Sequence, residues 1–428
     1  MRRLIVLTAV LATVLISCKD VEEPVASLGQ LKEILPVQPS LEDWMKQDLE
    51  FWEQKVLNSP EQFPFKAKLA SSYGRSFGHT RNYEQLFKAG ALWDEVNAMT
   101  GFSKAAYLRA AAKNAITRHE FQPAYELLKK AETLKEGLTA TQLMLFDVTM
   151  ELASFNEAET YLKATEDYSD VDYLIRLAKW HDHSGELPQA IARLEQVYQW
   201  AKDRKNADLE FWAISNLGDY YGHAGKIKRS YEAYLKALVL NPSSSYVKKG
   251  IAYIAFAHDN QPLEALQIIE AIPMADEDPD LLLLKADILD YLESPSAKAN
   301  VLDRFVDLVN MRGLQTLYRL PLAMIYAEEF QDFDTALTLA KQEVTARATP
   351  ETYDALAWIY YLAGDLQSAL KITKEEVWNR SFEPVLLMHS AIILNGADQL
   401  SEKEEVKTEL LEAAFELGPL AMEQVSAL

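Results

Sequence analysis

Few residues in this chain have the types and spacing that chemistry requires. His181-Asp182-His183 sets two imidazoles around a carboxylate, a combination that could ligate zinc. On a helix, however, residues two apart point to different faces, so the pair cannot easily close on one ion. His183, His223 and His258 recur at the same place in successive segments, near a helix C-terminus, where histidine interacts well with the dipole. A helix-end role is therefore expected for them. Asp276-Glu277-Asp278-Pro279-Asp280 is oxygen-rich enough for calcium, but it lacks the glycine and distal glutamate of an EF-hand loop. Its aspartates are expected to cap a helix starting near Leu281. No HExxH, P-loop, GxSxG or dinucleotide fingerprint occurs. The sequence thus offers no catalytic residue, no metal and no cofactor to assign, and the chain is read as a non-enzyme.

The elements that would carry these residues show a rhythm of about 34 residues, plainest in Phe211–Pro242. With Phe211 as position 1, large residues stand at 4, 7, 11 and 24 (Ile214, Leu217, Tyr221, Tyr234) and small ones at 8 and 20 (Gly218, Ser230). Gly225 occupies the turn at 15, where a left-handed C-cap is expected. Pro242 stands at 32, past the second helix. The same pattern starts at Val171, with Ala178, Gly185 and Ala190, and at Pro350, with Ala357, Gly364 and Ala369. Looser copies start at Ala105, Thr139, Tyr246, Pro279, Thr316 and Pro384, and an earlier pair is read in Phe63–Ala91. In the Thr139 copy Phe146 replaces the small residue, and in the Tyr246 copy Asn260 takes the turn.

This pattern resembles the tetratricopeptide repeat. The resemblance implies an all-α fold: a TPR-like α-solenoid, a right-handed superhelix of antiparallel helix pairs that bury their apolar faces by stacking. It also implies that positions 2, 5, 9, 12 and 13 face a concave groove where ligand segments bind. Those positions hold Arg109 and Lys113, then Lys179, Asp182 and His183, then Trp212, Asp219 and His223, and lastly Trp358 and Tyr361. Aromatic anchors beside isolated charges suit a peptide or a glycan. The bland alternative is that neighbouring repeats cover some of them.

The address is written at the start. Arg2 and Arg3 precede the apolar run Leu4–Ile16, which is too short to span a bilayer. Leu15-Ile16-Ser17-Cys18 resembles the bacterial lipobox, which implies lipidation of Cys18, the single cysteine. Two or three acyl chains suffice for stable anchoring. Lys19 stands where the inner-membrane retention signal would have Asp, so the outer membrane is expected, on its periplasmic or its external face. The organisation read from the sequence is a leader at 1–17, a lipidated cysteine and tether at 18–40 with one short helix at Leu28–Leu35, a helical region at 41–104, a solenoid of about nine repeats at 105–420 and a tail at 421–428.

The formal net charge of −21 becomes −23 once Arg2 and Arg3 leave with the leader. With no basic stripe to offset it, nucleic acid is excluded as a partner class. Acidic residues serve first as solvated helix faces, and beyond that they suit a basic partner. The leading expectation is an outer-membrane lipoprotein that holds envelope proteins in its concave groove as a non-catalytic scaffold. The alternative is a surface lipoprotein that captures glycans for a transporter, against which the nearly uninterrupted repeats speak.

Overall fold

The computed structural model describes residues 24–401 and 403–428. The expected leader and Cys18 lie outside the described residues. A short turn of helix, α1 (Leu28–Leu31), and a longer one, α2 (Asp43–Asn58), precede the pair α3 (Phe63–Thr80) and α4 (Tyr83–Met99). Nine further pairs follow. They are α5/α6 (Ala105–Thr117, Phe121–Leu134), α7/α8 (Leu138–Glu151, Phe155–Ala164), α9/α10 (Val171–His183, Leu187–Asp203) and α11/α12 (Ala207–His223, Ile227–Leu240). Then come α13/α14 (Ser245–Tyr253, Pro262–Glu270), α15/α16 (Pro279–Tyr291, Pro295–Met311), α17/α18 (Arg319–Glu328, Phe333–Ala346), α19/α20 (Pro350–Leu362, Leu366–Ile372) and α21/α22 (Pro384–Gly396, Lys403–Glu412). The last helix is α23 (Ala414–Ala427). There is no strand among the described residues, and each helix packs chiefly on its neighbours in sequence, as in an α-solenoid.

The small residues sit where the two helices of a pair meet. Ala112, Ala178, Ala357 and Ala391 on first helices, and Ala124, Ala158, Ala190, Ala265 and Ala369 on second ones, are all fully or almost fully buried. A Cβ on Gly218 would lie 2.3 Å from Cε1 of Tyr234, so only glycine allows that ring to cross the pair. Phe146, the large exception, is itself fully buried in the second core cluster.

The turns are more regular than the sequence. Gly185, Gly225, Gly364 and Asn260 have φ of +73°, +66°, +82° and +52°. The same left-handed conformation recurs at the equivalent turn in every looser copy: His119 (60°), Ala153 (54°), Glu293 (51°), Gln331 (52°) and Asp398 (55°). Gln331 lies one residue late, which matches the slip before Ala336 in the Thr316 copy. A residue with a Cβ pays roughly 1 kcal/mol for this conformation, so these copies keep the turn geometry despite losing its preferred residue.

The chain winds so that distant repeats touch. Tyr83 packs against the cluster around Leu282, Phe305 and Leu322, its hydroxyl 3.3 Å from that of Tyr318. From the other end, Tyr253 donates to the carbonyls of Phe415 and Glu416 at 3.0 and 2.9 Å, and its ring meets Phe415 edge-on. An extra residue loops out as a π-turn at Ile254–His258, directly after Tyr253. Residues 421–428 are thus no free tail: 421–427 lie within α23, Leu428 caps it, and Val425 is fully buried. The described part of the expected tether, from Pro24 on, is also packed. Its helix spans only Leu28–Leu31, continues as hydrogen-bonded turns to Val37, and buries Ala26, Leu31 and Leu35 against the α11–α14 core.

If the turn geometry is conserved at a cost, restoring glycine should recover it. Ala153→Gly is expected to stabilise the chain by about 1 kcal/mol, and Gly364→Ala to destabilise it by about as much. Denaturant midpoints at unchanged m-value check both.

Candidate functional site

The residues predicted to face the groove fall into three groups. The first is spent on the scaffold. The Arg109 guanidinium donates to the Glu136 carbonyl at 2.7 Å and to Thr141 Oγ1 at 3.0 Å, which holds the α6–α7 loop; Lys113 lines a shallow depression beside it. Lys179 donates to Glu151 at 2.8 Å, and Arg347, from the far side of the winding, lies 3.7 Å from the same carboxylate. Burial opposes ionisation of Glu151, but these two cations outweigh it and hold its pKa below the usual range.

The second group is covered. Trp358, expected to project into the groove, is 5% exposed. Its ring stacks on His389 at 4.1 Å and on Tyr361 at 5.2 Å, and its indole donates to Glu328 at 2.9 Å. One turn earlier on the same helix, Asp354 meets His389 at 2.7 Å, so the imidazole that covers the indole is itself held in a buried pair. His183 stacks on Phe155 at 4.1 Å, and burial pushes its pKa down, which keeps the ring neutral. Its neighbour His181 turns instead to Glu186 at 2.5 Å, so the two imidazoles serve different partners.

The third group converges on the interior of the winding. Asp182 accepts from the Tyr220 hydroxyl at 3.3 Å, and Asp219 from those of Tyr234 (2.6 Å) and Tyr246. His223 lies 3.8 Å from Glu416, which α23 brings in from the other end of the chain. Trp212 stays 36% exposed. Around them stand carboxylates that the sequence reading missed: Asp287, Glu328, Glu383 and Glu416. Asp287 and Glu328 occupy positions 9 and 13 of the Pro279 and Thr316 copies, so carrying the groove positions into the weak repeats would have found them. Glu383 and Glu416 follow no register and come in through tertiary winding.

The electrostatics of this interior are unusual. Burial pushes up the pKa values of Asp182, Asp219, Glu328, Glu383 and Glu416. Asp287 is exposed on this surface, and its pKa is pushed up to about 7 by the desolvation that the surrounding repeats impose, with Asp290, Glu328 and Glu329 adding to the rise and Lys298 opposing it. Lys298 is itself claimed by Asp290 at 2.9 Å and Glu329 at 2.6 Å. The interior therefore carries more negative charge than its own cations balance.

A separate site lies on α12, α13 and α14, where residues 25–37 are seated. The Asp259 carboxylate accepts the backbone N–H groups of Val25 (3.0 Å) and Ala26 (2.7 Å), and Glu264 accepts that of Leu28 at 2.6 Å. Tyr231 donates to Gln30 at 2.9 Å. At the other end Lys248, fully buried, donates to the carbonyls of Leu35 (2.9 Å) and Val37 (3.0 Å). Desolvation pulls this lysine down to about 8. Nothing in the sequence pairs residue 25 with residue 259; only the apolar spacing of Leu28, Leu31 and Leu35 hints that the segment packs. Beyond Val37 the chain borders a cavity of about 800 Å³, walled by the α3–α4 turn, Tyr83, Phe87, Phe211, Tyr246 and Met311.

Solved structures similar to this chain are helical-repeat proteins. They include the human IFIT1 dimer with m7Gppp-AAAA (12% identity, 77% of this chain and 75% of that one, TM-score 0.48). They also include a tetratricopeptide repeat protein from Parabacteroides merdae (16%, 60% and 97%, 0.34) and yeast Tom70 (16%, 93% and 87%, 0.36). No protein-family model and no curated protein matches the sequence. The stacked helix pairs identify the fold as a TPR-type solenoid.

The two tryptophans should now separate. Trp358→Ala is expected to cost about 3–5 kcal/mol, as loss of a buried aromatic does. Trp212→Ala, at a half-open surface, should stay within about 0.5 kcal/mol of the parent. Urea unfolding of both variants checks this.

Proposed function

We propose that this chain is a non-catalytic interaction scaffold whose acidic interior holds a basic segment of a partner protein, and that it works from a lipid anchor at Cys18 on the outer membrane. The observation that carries the first half is the convergence of Asp182, Asp219, Asp287, Glu328, Glu383 and Glu416 on the inner side of the winding with few cations left to balance them. Carboxylates crowded together with few cations among them gain from an incoming ammonium or guanidinium, which relieves their mutual repulsion. Tyr220, Tyr246 and Trp212 supply flat apolar walls for the aliphatic stems of lysine and arginine. The lipobox-like Leu15–Cys18 supports the second half, and envelope proteins are the partners within reach of such an anchor.

Binding should depend on pH with a defined sign. In the empty site the pKa of Asp287 is raised; a bound cation favours its charged form, so deprotonation and binding go together. Affinity for a lysine- and arginine-rich probe peptide is expected to rise from pH 5 to pH 8, by roughly tenfold for about one proton released, and to fall as salt is raised. Calorimetry in two buffers of different ionisation enthalpy reads both. Binding that ignores pH and salt sinks the reading.

The anchor is tested separately. Cys18→Ser should abolish palmitate incorporation and leave an uncleaved precursor. Equal labelling of parent and variant would falsify the lipobox assignment.

A further inference from the structure

The seat on α12–α14 is built around the main chain of its occupant. Asp259 and Glu264 take three backbone N–H groups at one end, and Lys248 gives its protons to two backbone carbonyls at the other. Between these clamps the side chains that matter are Leu31 and Leu35, four residues apart and buried. Such a site reads a shape and a spacing, one helical turn with free N–H groups before it, rather than a particular polar sequence. It also needs to be filled. Lys248 is fully buried, and those two carbonyls are its only hydrogen-bond partners among the described residues. The Asp259 side chain is 1% exposed. With the segment gone, Lys248 loses both of its hydrogen-bond partners and Asp259 keeps only His258.

The occupant itself is weakly committed. Residues 25–37 belong to no repeat, bury Ala26, Leu31 and Leu35 fully and Val25, Leu28 and Ile34 in part, and join α2 through residues 38–42, which have no regular structure before the helix begins. Burial on that scale is set against the backbone ordering of the whole segment, two opposing quantities of similar size.

We infer that the α12–α14 seat is a recognition site for a partner's amphipathic helical turn, and that residues 25–37 are its exchangeable occupant in cis. The partner it fits carries apolar residues four apart, with backbone N–H groups left free just before them. It carries no acidic residue where Asp259 and Glu264 reach in. The site is distinct from the acidic interior, so failure of one reading leaves the other standing.

The experiment uses the full chain and a fluorescent peptide of sequence PVASLGQLKEILPVQP, residues 24–39. In Leu31→Asp/Leu35→Asp the cis segment can no longer fill the seat, and the peptide is expected to bind. The parent should bind it about a hundredfold more weakly, since a cis occupant on a short linker competes at millimolar effective concentration. A peptide with the same two Asp changes should not bind either protein. Absence of binding to a variant that keeps the parent's circular dichroism and melting midpoint overturns the proposal and leaves the contact purely structural. Dimers of the variant with the parent, formed through this segment, would assign the seat to a second copy and overturn it too. Should the double variant fail to fold, amide exchange on the parent decides. Exchange at Val25, Ala26 and Leu28 much faster than at Ile251 and Ala265 supports a detachable segment, and equal protection overturns it.

Discussion

The left-handed residue between the two helices of each pair is the constraint on which the rest depends. It reverses the chain within a few residues and, in seven of the ten pairs, delivers Ala or Ser five positions later to the point where the helices cross. With that turn fixed, the depth at which Ala124, Ala190 or Ala369 meets the facing helix is fixed too, and stacking follows from the apolar faces left over. Where the turn residue is His119, Ala153 or Glu293, the geometry survives because packing on both sides dictates it. A local preference is overruled by neighbours, as is usual for conformations costing about 1 kcal/mol.

Curvature then does what no single repeat could. Stacked pairs bring first-helix positions onto a common inner surface, and the winding is tight enough that Phe382 lies against Gly185 and Phe415 against Gly222, so tightly that a Cβ on either glycine would sit about 3 Å from the ring. Glycine at these two places permits the contact between ends that are distant in sequence. The price is electrostatic: carboxylates that would be solvated on an open solenoid are drawn together. Some are matched in place, as Glu151 is by Lys179 and Arg347. Others are left to hydroxyl donors such as Tyr220 and Tyr246, which solvate without neutralising.

The sequence made the fold legible because its determinants are local. Glycine at a turn, small residues at two fixed offsets and large ones around them are read within one repeat, and even the slip ahead of Ala336 shows up where Gln331 takes the turn. The candidate site was legible only in part. Asp182, Asp219 and His223 were reached by counting, since they sit in strong repeats and do face inward. Trp358 was misjudged as open because the residues that cover it, His389 and Glu328, lie in other repeats whose approach depends on curvature. The packing of residues 24–40 and of α23 was invisible for the same reason: each is held by contacts spanning some two hundred residues, such as Val25 to Asp259, that no short window contains.

The seated segment also sets a length. With Val25 pinned to Asp259, roughly seven residues separate the solenoid from Cys18, a span that cannot exceed about 25 Å even fully extended. Under the lipid anchoring proposed above, the face bearing α12 and α14 would ride close against the bilayer, with the chain moored at its middle rather than trailing from one end. Were the segment to leave its seat, the mooring point would retreat to α2 at Asp43, and the permitted stand-off would grow to roughly 85 Å. Occupancy of one small site would thus decide how far from the membrane, and at what tilt, the acidic interior is presented.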